Sequence, residues 1–255
     1  METEKNSEIT NWVTGKGTLN VGSTKLQLEI TVPAHPVRPT QMLPVFQSLT
    51  NSIVAVAVKE AEAAGEKISC TKGCGACCRQ LVPIAKSEAY QLRDLVAKMP
   101  EPRRTQVQKS FAAALAQLKE SGVYEKISAP GNFSVEARQQ IGLDYFYQKI
   151  ACPFLEDESC SIHPDRPLAC REYLVTSPAE NCASPTAAGV KCVEISGSVS
   201  RAVRNLSAPS VTQGLNWLPL ILALEWAIQN PDEASPKPGP ELLGQVFKHL
   251  ANQTS

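Results

Sequence analysis

The sequence has little of what most catalytic and export machinery needs. It holds three histidines among 255 residues. All three stand in unremarkable contexts, so neither a Ser–His–Asp site nor a Cys–His nucleophile assembles convincingly. No Gly-x-Gly-x-x-Gly and no Walker sequence occurs, which leaves nucleotide cofactors without a motif. An excess of one charge is missing too. The 25 basic and 25 acidic residues cancel, which argues against nucleic acid and against an anionic membrane as partners. The longest clean apolar run, Trp217 to Leu224, is eight residues, whereas a membrane span takes about 20. The opening Met1-Glu2-Thr3-Glu4-Lys5 puts no basic region ahead of an apolar core. A chain without a signal peptide, in the cytoplasm, is the expectation.

Cysteine is what the sequence has in excess. Nine occur, at Cys70, Cys74, Cys77, Cys78, Cys152, Cys160, Cys170, Cys182 and Cys192. A chain of this length buries roughly 70–75% of its unfolded surface without covalent staples, and 43% of the residues are hydrophobic, enough to build a core. The cysteine number is odd and no export signal is seen. Clustered thiols in such a chain bind metal or do redox chemistry more readily than they form a disulfide framework.

Hydrophobic periodicity predicts a mainly α fold with a small N-terminal β-hairpin and a long Cys/Pro-rich loop region around a metal centre. Residues 1–16 read as polar and loose. Leu19 and Val21, then Leu26, Leu28, Ile30 and Val32, alternate on either side of Gly22-Ser23, the pattern of a hairpin with a tight turn. A long helix is expected from Met42 to Ala64, with Phe46, Leu49, Ile53, Val56 and Ala57 on one face, Pro44 in its first turn and Gly65 as its stop. A second begins at a Ser87 cap and ends at Pro100. A third opens at Pro102, buries Val107, Phe111, Leu115 and Leu118, and stops at Gly122. A fourth runs from Ser134 to Ile150. Residues 152–192 read as loop with short helical turns, and two last helices fall near Trp217–Gln229 and Glu241–Leu250, joined by the proline-rich 231–240. No repeat of solenoid period is seen. The division expected is a 1–40 extension, a 41–205 cysteine-cluster domain, and 206–255 as helices packing on the same core.

The first cysteine block is Cys70-Thr-Lys-Gly-Cys74-Gly-Ala-Cys77-Cys78. At about 3.6 residues per turn, a helix would put all four thiols on one face. As a loop, Gly73 and Gly75 would let the backbone wrap an ion. Either geometry converges thiols that repel once ionised, and a bound cation removes that repulsion. Soft thiolates select zinc, iron–sulfur clusters or copper(I) over magnesium and calcium. The second block, from Cys152 through Cys160 to Cys170, has wider spacing, with Pro153, Pro164 and Pro167 narrowing its conformations. His163 reads as polar surface rather than a ligand. Arg166 and Arg171 read either as counter-charges to thiolates, or as anchors for an anion, or as surface ion pairs.

Together the blocks resemble the YkgJ-type cysteine-cluster family, described as zinc- or iron-chelating. Its run of cysteines ending in a doublet is matched by Cys70, Cys74, Cys77 and Cys78. Its Cys-Pro-Phe-Leu element is matched by Cys152 to Leu155, and its next cysteine by Cys160. Its Arg-Pro-x-x-Cys-Arg element is matched by Arg166, Pro167, Cys170 and Arg171, and a later cysteine by Cys182. The resemblance covers roughly residues 70–182. It departs at His163, where many members carry tyrosine, and at Cys192, which has no counterpart and reads as a strand-core thiol. The resemblance implies chelation of zinc or iron by the eight cysteines from Cys70 to Cys182, and it implies no activity.

Three functions compete. The leading one is a metal-chelating protein: four thiolates complete one zinc site and eight complete two, or eight hold an iron–sulfur cluster with ligands to spare. The second is an iron–sulfur enzyme, either radical-SAM-like, because Cys70-x3-Cys74-x2-Cys77 has the spacing of that family's cluster motif, or a protein-modifying or redox enzyme that uses the cluster without that family's barrel. Ala76 stands where that family has an aromatic residue, and helices follow where its barrel needs strands. The third is an interaction or metal-handling protein whose 215–250 helices meet a protein partner. Trp217, Leu218, Leu220, Ile221, Leu224 and Trp226 fit core burial better than an interface.

Overall fold

The computed structural model describes residues 11–129, 134–184, 189–206 and 217–253. Its first element is the expected hairpin, in which β1 (Trp12–Val21) pairs antiparallel with β2 (Thr24–Pro33). Leu26, Leu28, Ile30 and Val32 lie on the covered side of β2, as the alternation predicts. Helix α1 (Leu43–Ala63) holds the turn. Its Glu60 accepts hydrogen bonds from Ser23 N (3.1 Å), Ser23 Oγ (2.7 Å) and Thr24 Oγ1 (3.0 Å). Gly22 is required there twice over: its φ is +56°, and a Cβ would strike the Glu60 carboxylate. Strand β1 begins at Trp12, so residues 12–16 are not loose as expected. They are mostly exposed and owe their order to pairing with β2 rather than to burial, which leaves no periodicity to read. Residues 1–10, the rest of the stretch expected to be loose, lie outside the described residues.

Helix α1 follows a 3₁₀ turn, Pro39–Met42, and ends just before Gly65. It turns Leu43, Phe46, Leu49, Ile53, Val56 and Ala57 into the core. Among the described residues Pro39–Ala63 is the one helical stretch long and apolar enough to cross a membrane, and half of its most apolar window is buried inside the fold. Short β3 (Pro36–Val37) precedes it and β4 (Pro83–Ile84) comes later.

Helix α2 (Lys86–Ala97) corrects the capping expectation. Ala85 is the cap, Glu88 supplies the carboxylate that accepts Ala85 N (2.7 Å), and Ser87 is buried inside the first turn. Helix α3 (Arg103–Glu120) buries Val107, Phe111, Ala114 and Leu118, with Leu115 at the margin of the stripe. An unforeseen α4 (Val123–Ser128) follows, too short to display a period. Helix α5 (Val135–Tyr147) starts at a Ser134 cap whose Oγ accepts Ala137 N (3.2 Å), and stops short of Ile150. In the cysteine insert lie β5 (Leu155–Glu156), β6 (Ser159–Cys160) and the one-turn α6 (Leu168–Glu172). Beyond it come α7 (Val199–Asn205), also unforeseen, and β7 (Leu218–Pro219). After the Leu220–Leu222 turn come α8 (Ala223–Gln229), β8 (Lys237–Pro238) and α9 (Gly239–Ala251). The helix expected from Trp217 thus begins only at Leu220, because Pro219 caps the turn and Leu218 is committed to pairing with Ile84.

The apolar side chains gather into two clusters. One joins α2 to α5 with Phe154, Ile162 and the 218–227 segment. The other joins the hairpin, α1, Leu168, α7 and α9. The cysteine insert therefore straddles the seam, anchored by Phe154 on one side and Leu168 on the other, each worth about 1.5–3 kcal/mol of burial. The C-terminal helices divide likewise, α8 to the first cluster and α9 to the second. Among the described residues the sheets are four antiparallel pairs, β1–β2, β3–β8, β4–β7 and β5–β6. No parallel strand–helix alternation of the kind a radical-SAM barrel needs is present among them.

Candidate metal centre

Cys70 to Cys78 do not form a helix. Gly73 takes φ +88°, Cys74 N donates to Thr71 O (3.1 Å), and a 3₁₀ turn over Ala76–Arg79 carries Cys77 and Cys78. Of the two geometries open from the sequence, the wrapped loop is the one adopted. Backbone bonds stitch this loop to the second block. Cys152 N donates to Cys78 O (2.7 Å), Ser69 N to Val175 O (2.9 Å), and Val175 N to the Cys70 thiol (3.4 Å).

A further clamp comes from residues the sequence did not single out. The β5–β6 turn places Asp157 and Glu158 at φ +47° and +52°. Glu158 there receives two hydrogen bonds from Arg79, at 3.0 and 2.7 Å, while Arg79 also donates to Gly75 O (2.9 Å). Gly75 faces this turn so closely that a Cβ would stand 2.8 Å from Leu155 Cδ1 and 3.2 Å from Glu158 Cα. Gly75→Ala is expected to push the two blocks apart, to destabilise the protein by about 1–3 kcal/mol and to lower its metal content. Chemical unfolding and metal analysis of the purified variant check both.

All eight candidate cysteines, Cys70, Cys74, Cys77, Cys78, Cys152, Cys160, Cys170 and Cys182, line a single cavity of about 820 Å3. Cys182 is buried and the other seven are half-buried. Cys192 does not line the cavity and is exposed. It makes an isolated β-bridge to Val175, so the expected strand-core thiol is corrected: one bridge pairs its backbone and the residue stays exposed. The Tyr173 hydroxyl accepts a bond from Gln80 (3.1 Å) and lowers the thiols of Cys182 and Cys192 against the effect of burial.

Burial raises the thiols of Cys70, Cys160, Cys170 and Cys182 above their ordinary range and pushes Cys152 up to about 12. A hydrogen bond that the Cys77 thiol donates to Cys78 is the first cause raising Cys77, ahead of burial. Cys77 is the hub. Its charge acts unfavourably on Cys70, Cys152, Cys160, Cys170 and Cys182. Arg166 lines the cavity together with Lys72 and Arg204, and its charge lowers Cys70, Cys77 and Cys160 and holds His163 below its ordinary value. Arg171 is occupied elsewhere: it donates to Arg166 O (3.0 Å), to Asn51 Oδ1 (3.2 Å) and to Pro164 O, fixing the turn before α6. His163 is exposed at the cavity rim.

Without metal, gathering so many thiols is costly, since burial and mutual charge both disfavour the thiolate. A soft cation reverses each of those terms, so the donor set fits zinc or iron. Among the described residues no three cysteine, histidine or carboxylate side chains stand close enough to coordinate one ion as they are placed. The eight surround the space rather than close on a point.

Residues 69–192, just under half of the chain, match the family model CxxCxxCC, "Putative zinc- or iron-chelating domain". The matched span takes in both blocks and reaches Cys192, ten residues past the limit drawn from the motifs alone. No curated protein and no solved structure matches the chain. The insert that bridges the two apolar clusters is thus the part of the chain that is similar to the CxxCxxCC zinc- or iron-chelating domain.

Proposed function

We propose that the two cysteine blocks form one thiolate centre that chelates iron as an iron–sulfur cluster. The observation that carries this reading is the convergence of eight thiols on one cavity of about 820 Å3 with no closed tetrahedral set among them. A zinc site with Zn–S near 2.3 Å draws four sulfurs to within about 3.8 Å of one another. Thiols spread round a larger space suit a larger inorganic body, held by four of them with the rest as neighbours or second ligands.

Cys77 is the first ligand in this reading, because more of the other thiols feel its charge than that of any other cysteine. Cys70, Cys152, Cys160 and Cys170 surround it. A cluster, when bound, supplies one-electron chemistry whose potential depends on local charge and on hydrogen bonds to sulfur. The chain already supplies both. Val175 N–H points at the Cys70 sulfur, and Arg166 holds positive charge against Cys70, Cys77 and Cys160.

The test is anaerobic purification followed by metal analysis, acid-labile sulfide assay and a visible spectrum on one sample. A brown protein with iron and sulfide in equal amounts is expected. A colourless protein with one or two zinc ions per chain would move the centre to a structural zinc site. A protein that takes up no metal would overturn chelation by this chain.

A further inference from the structure

We propose that the cysteine cavity also binds a small molecule carrying one carboxylate on an apolar body, held by the Arg166 guanidinium beside the metal. This rests on the metal-centre reading above and adds a ligand to it. Three observations carry it. The first is size: about 820 Å3 falls within the range of small-molecule pockets, roughly 300–1,000 Å3.

The second is Arg166. It lines the cavity, its Nε–H is shut off from solvent, and that donor has no hydrogen-bond partner. The carboxylate of Glu158, on the same cavity wall, is already taken by Arg79. The field of Cys70, Cys77 and Cys160 accounts for a positive charge at this place, but it does not satisfy the Nε–H. A guanidinium has five donors in a planar fork, enough to face thiolates with one edge and a carboxylate with the other. That Nε–H is out of a ligand's reach where it stands, but among the described residues no hydrogen bond holds the terminal N–H groups either. A guanidinium left without an acceptor is most economically completed by a carboxylate on that terminal edge.

The third is the wall. Leu81, Val82, Phe154 and Leu220 line the same space and offer an apolar surface to the rest of the ligand. The charge balance then selects the anion. Thiolates around the metal are negative already, so a carboxylate monoanion meets less repulsion there than a phosphate dianion.

The experiment uses the metal-loaded full chain. Hexanoate and benzoate are titrated against their uncharged amides, hexanamide and benzamide, and against inorganic phosphate, with metal content assayed on every sample. Binding is read by calorimetry and by the arginine Nε–H resonances in NMR. The expected result is saturable binding of both carboxylates, little binding of the amides, and movement of one Nε–H resonance that Arg166→Lys removes. Arg166→Gln is expected to weaken carboxylate binding by roughly 10- to 100-fold, the loss of a charge-assisted hydrogen bond, while metal stays bound. Equal binding of carboxylate and amide, tighter binding of phosphate, or carboxylate binding unchanged in Arg166→Gln would each overturn the proposal. If Arg166→Gln fails to fold or loads no metal, the wild-type Nε–H titration decides: no resonance moving with carboxylate refutes the site. Metal content separates this failure from failure of the metal reading, since a chain that loads metal but ignores carboxylates loses only this proposal.

Discussion

Cys77→Ser is expected to strip the protein of most of its metal under conditions where Cys192→Ser keeps all of it. Five other cavity thiols respond to the charge of Cys77, and it sits on the 3₁₀ turn that Arg79 and Glu158 hold against the second block. Serine fills nearly the same space, but its hydroxyl stays protonated and does not ligate a soft metal. Thiolate sites of four ligands hold metal with about 10–16 kcal/mol, so one ligand carries about 3 kcal/mol, or roughly a 100-fold change in affinity. Because binding free energy is folding free energy for such an insert, the variant should also unfold at lower denaturant concentration. Cys192 lies outside the cavity wall, and its exposed side chain carries no such coupling to metal. Metal analysis after dialysis against a mild chelator, with chemical unfolding in parallel, gives both readouts. Equal retention of metal in the two variants would remove Cys77 from the centre.

The eight thiols were legible in the sequence because a cysteine cluster answers to chemistry more than to packing. Proline, glycine and serine marked most helix ends for a similar reason: their backbone effects are local and need no partner. What escaped was whatever a distant residue decides. The Trp12–Lys16 half of strand β1 is exposed and ordered through its pairing with β2, so those residues hold no buried period. Helices α4 and α7 are shorter than two full turns. The clamp over the first block needs Arg79 and Glu158, 79 positions apart, and a turn with two non-glycine residues at positive φ. Arg171 and Arg166 look alike in sequence, yet the first is consumed by backbone carbonyls and Asn51 while the second faces the thiols. Separating them takes the fold itself.

Glu88 illustrates the same dependence and carries the other large expected effect. It is among the most buried charged residues, at 2% exposure, and its two oxygens accept backbone N–H groups from different segments. Oε2 takes Ala85 N at the start of α2, and Oε1 takes Leu168 N (2.8 Å) at the start of α6, the turn that carries Cys170. Burial outweighs both bonds and the nearby Arg204, and it pushes Glu88 from 4.5 up to about 7. The folded chain therefore keeps a proton between those values that the unfolded chain releases. Its stabilising effect is complete below the unfolded value and is lost as pH rises through the folded one. Over that window the loss is on the order of 3 kcal/mol. Glu88→Gln cannot titrate and offers one acceptor to two N–H donors, at a cost of about 1–3 kcal/mol. The variant should be less stable than wild type near about pH 5, with the gap closed or inverted near about pH 8. Urea unfolding of both proteins at the two pH values measures this. The pH dependence of the thiols other than Cys170, which feels the Glu88 charge, cancels in the difference, because they are common to both chains. Parallel stability curves for the two proteins would show that Glu88 is already ionised in the fold. Its carboxylate would then join α2 to the metal-bearing turn as a charged clamp rather than a protonated one.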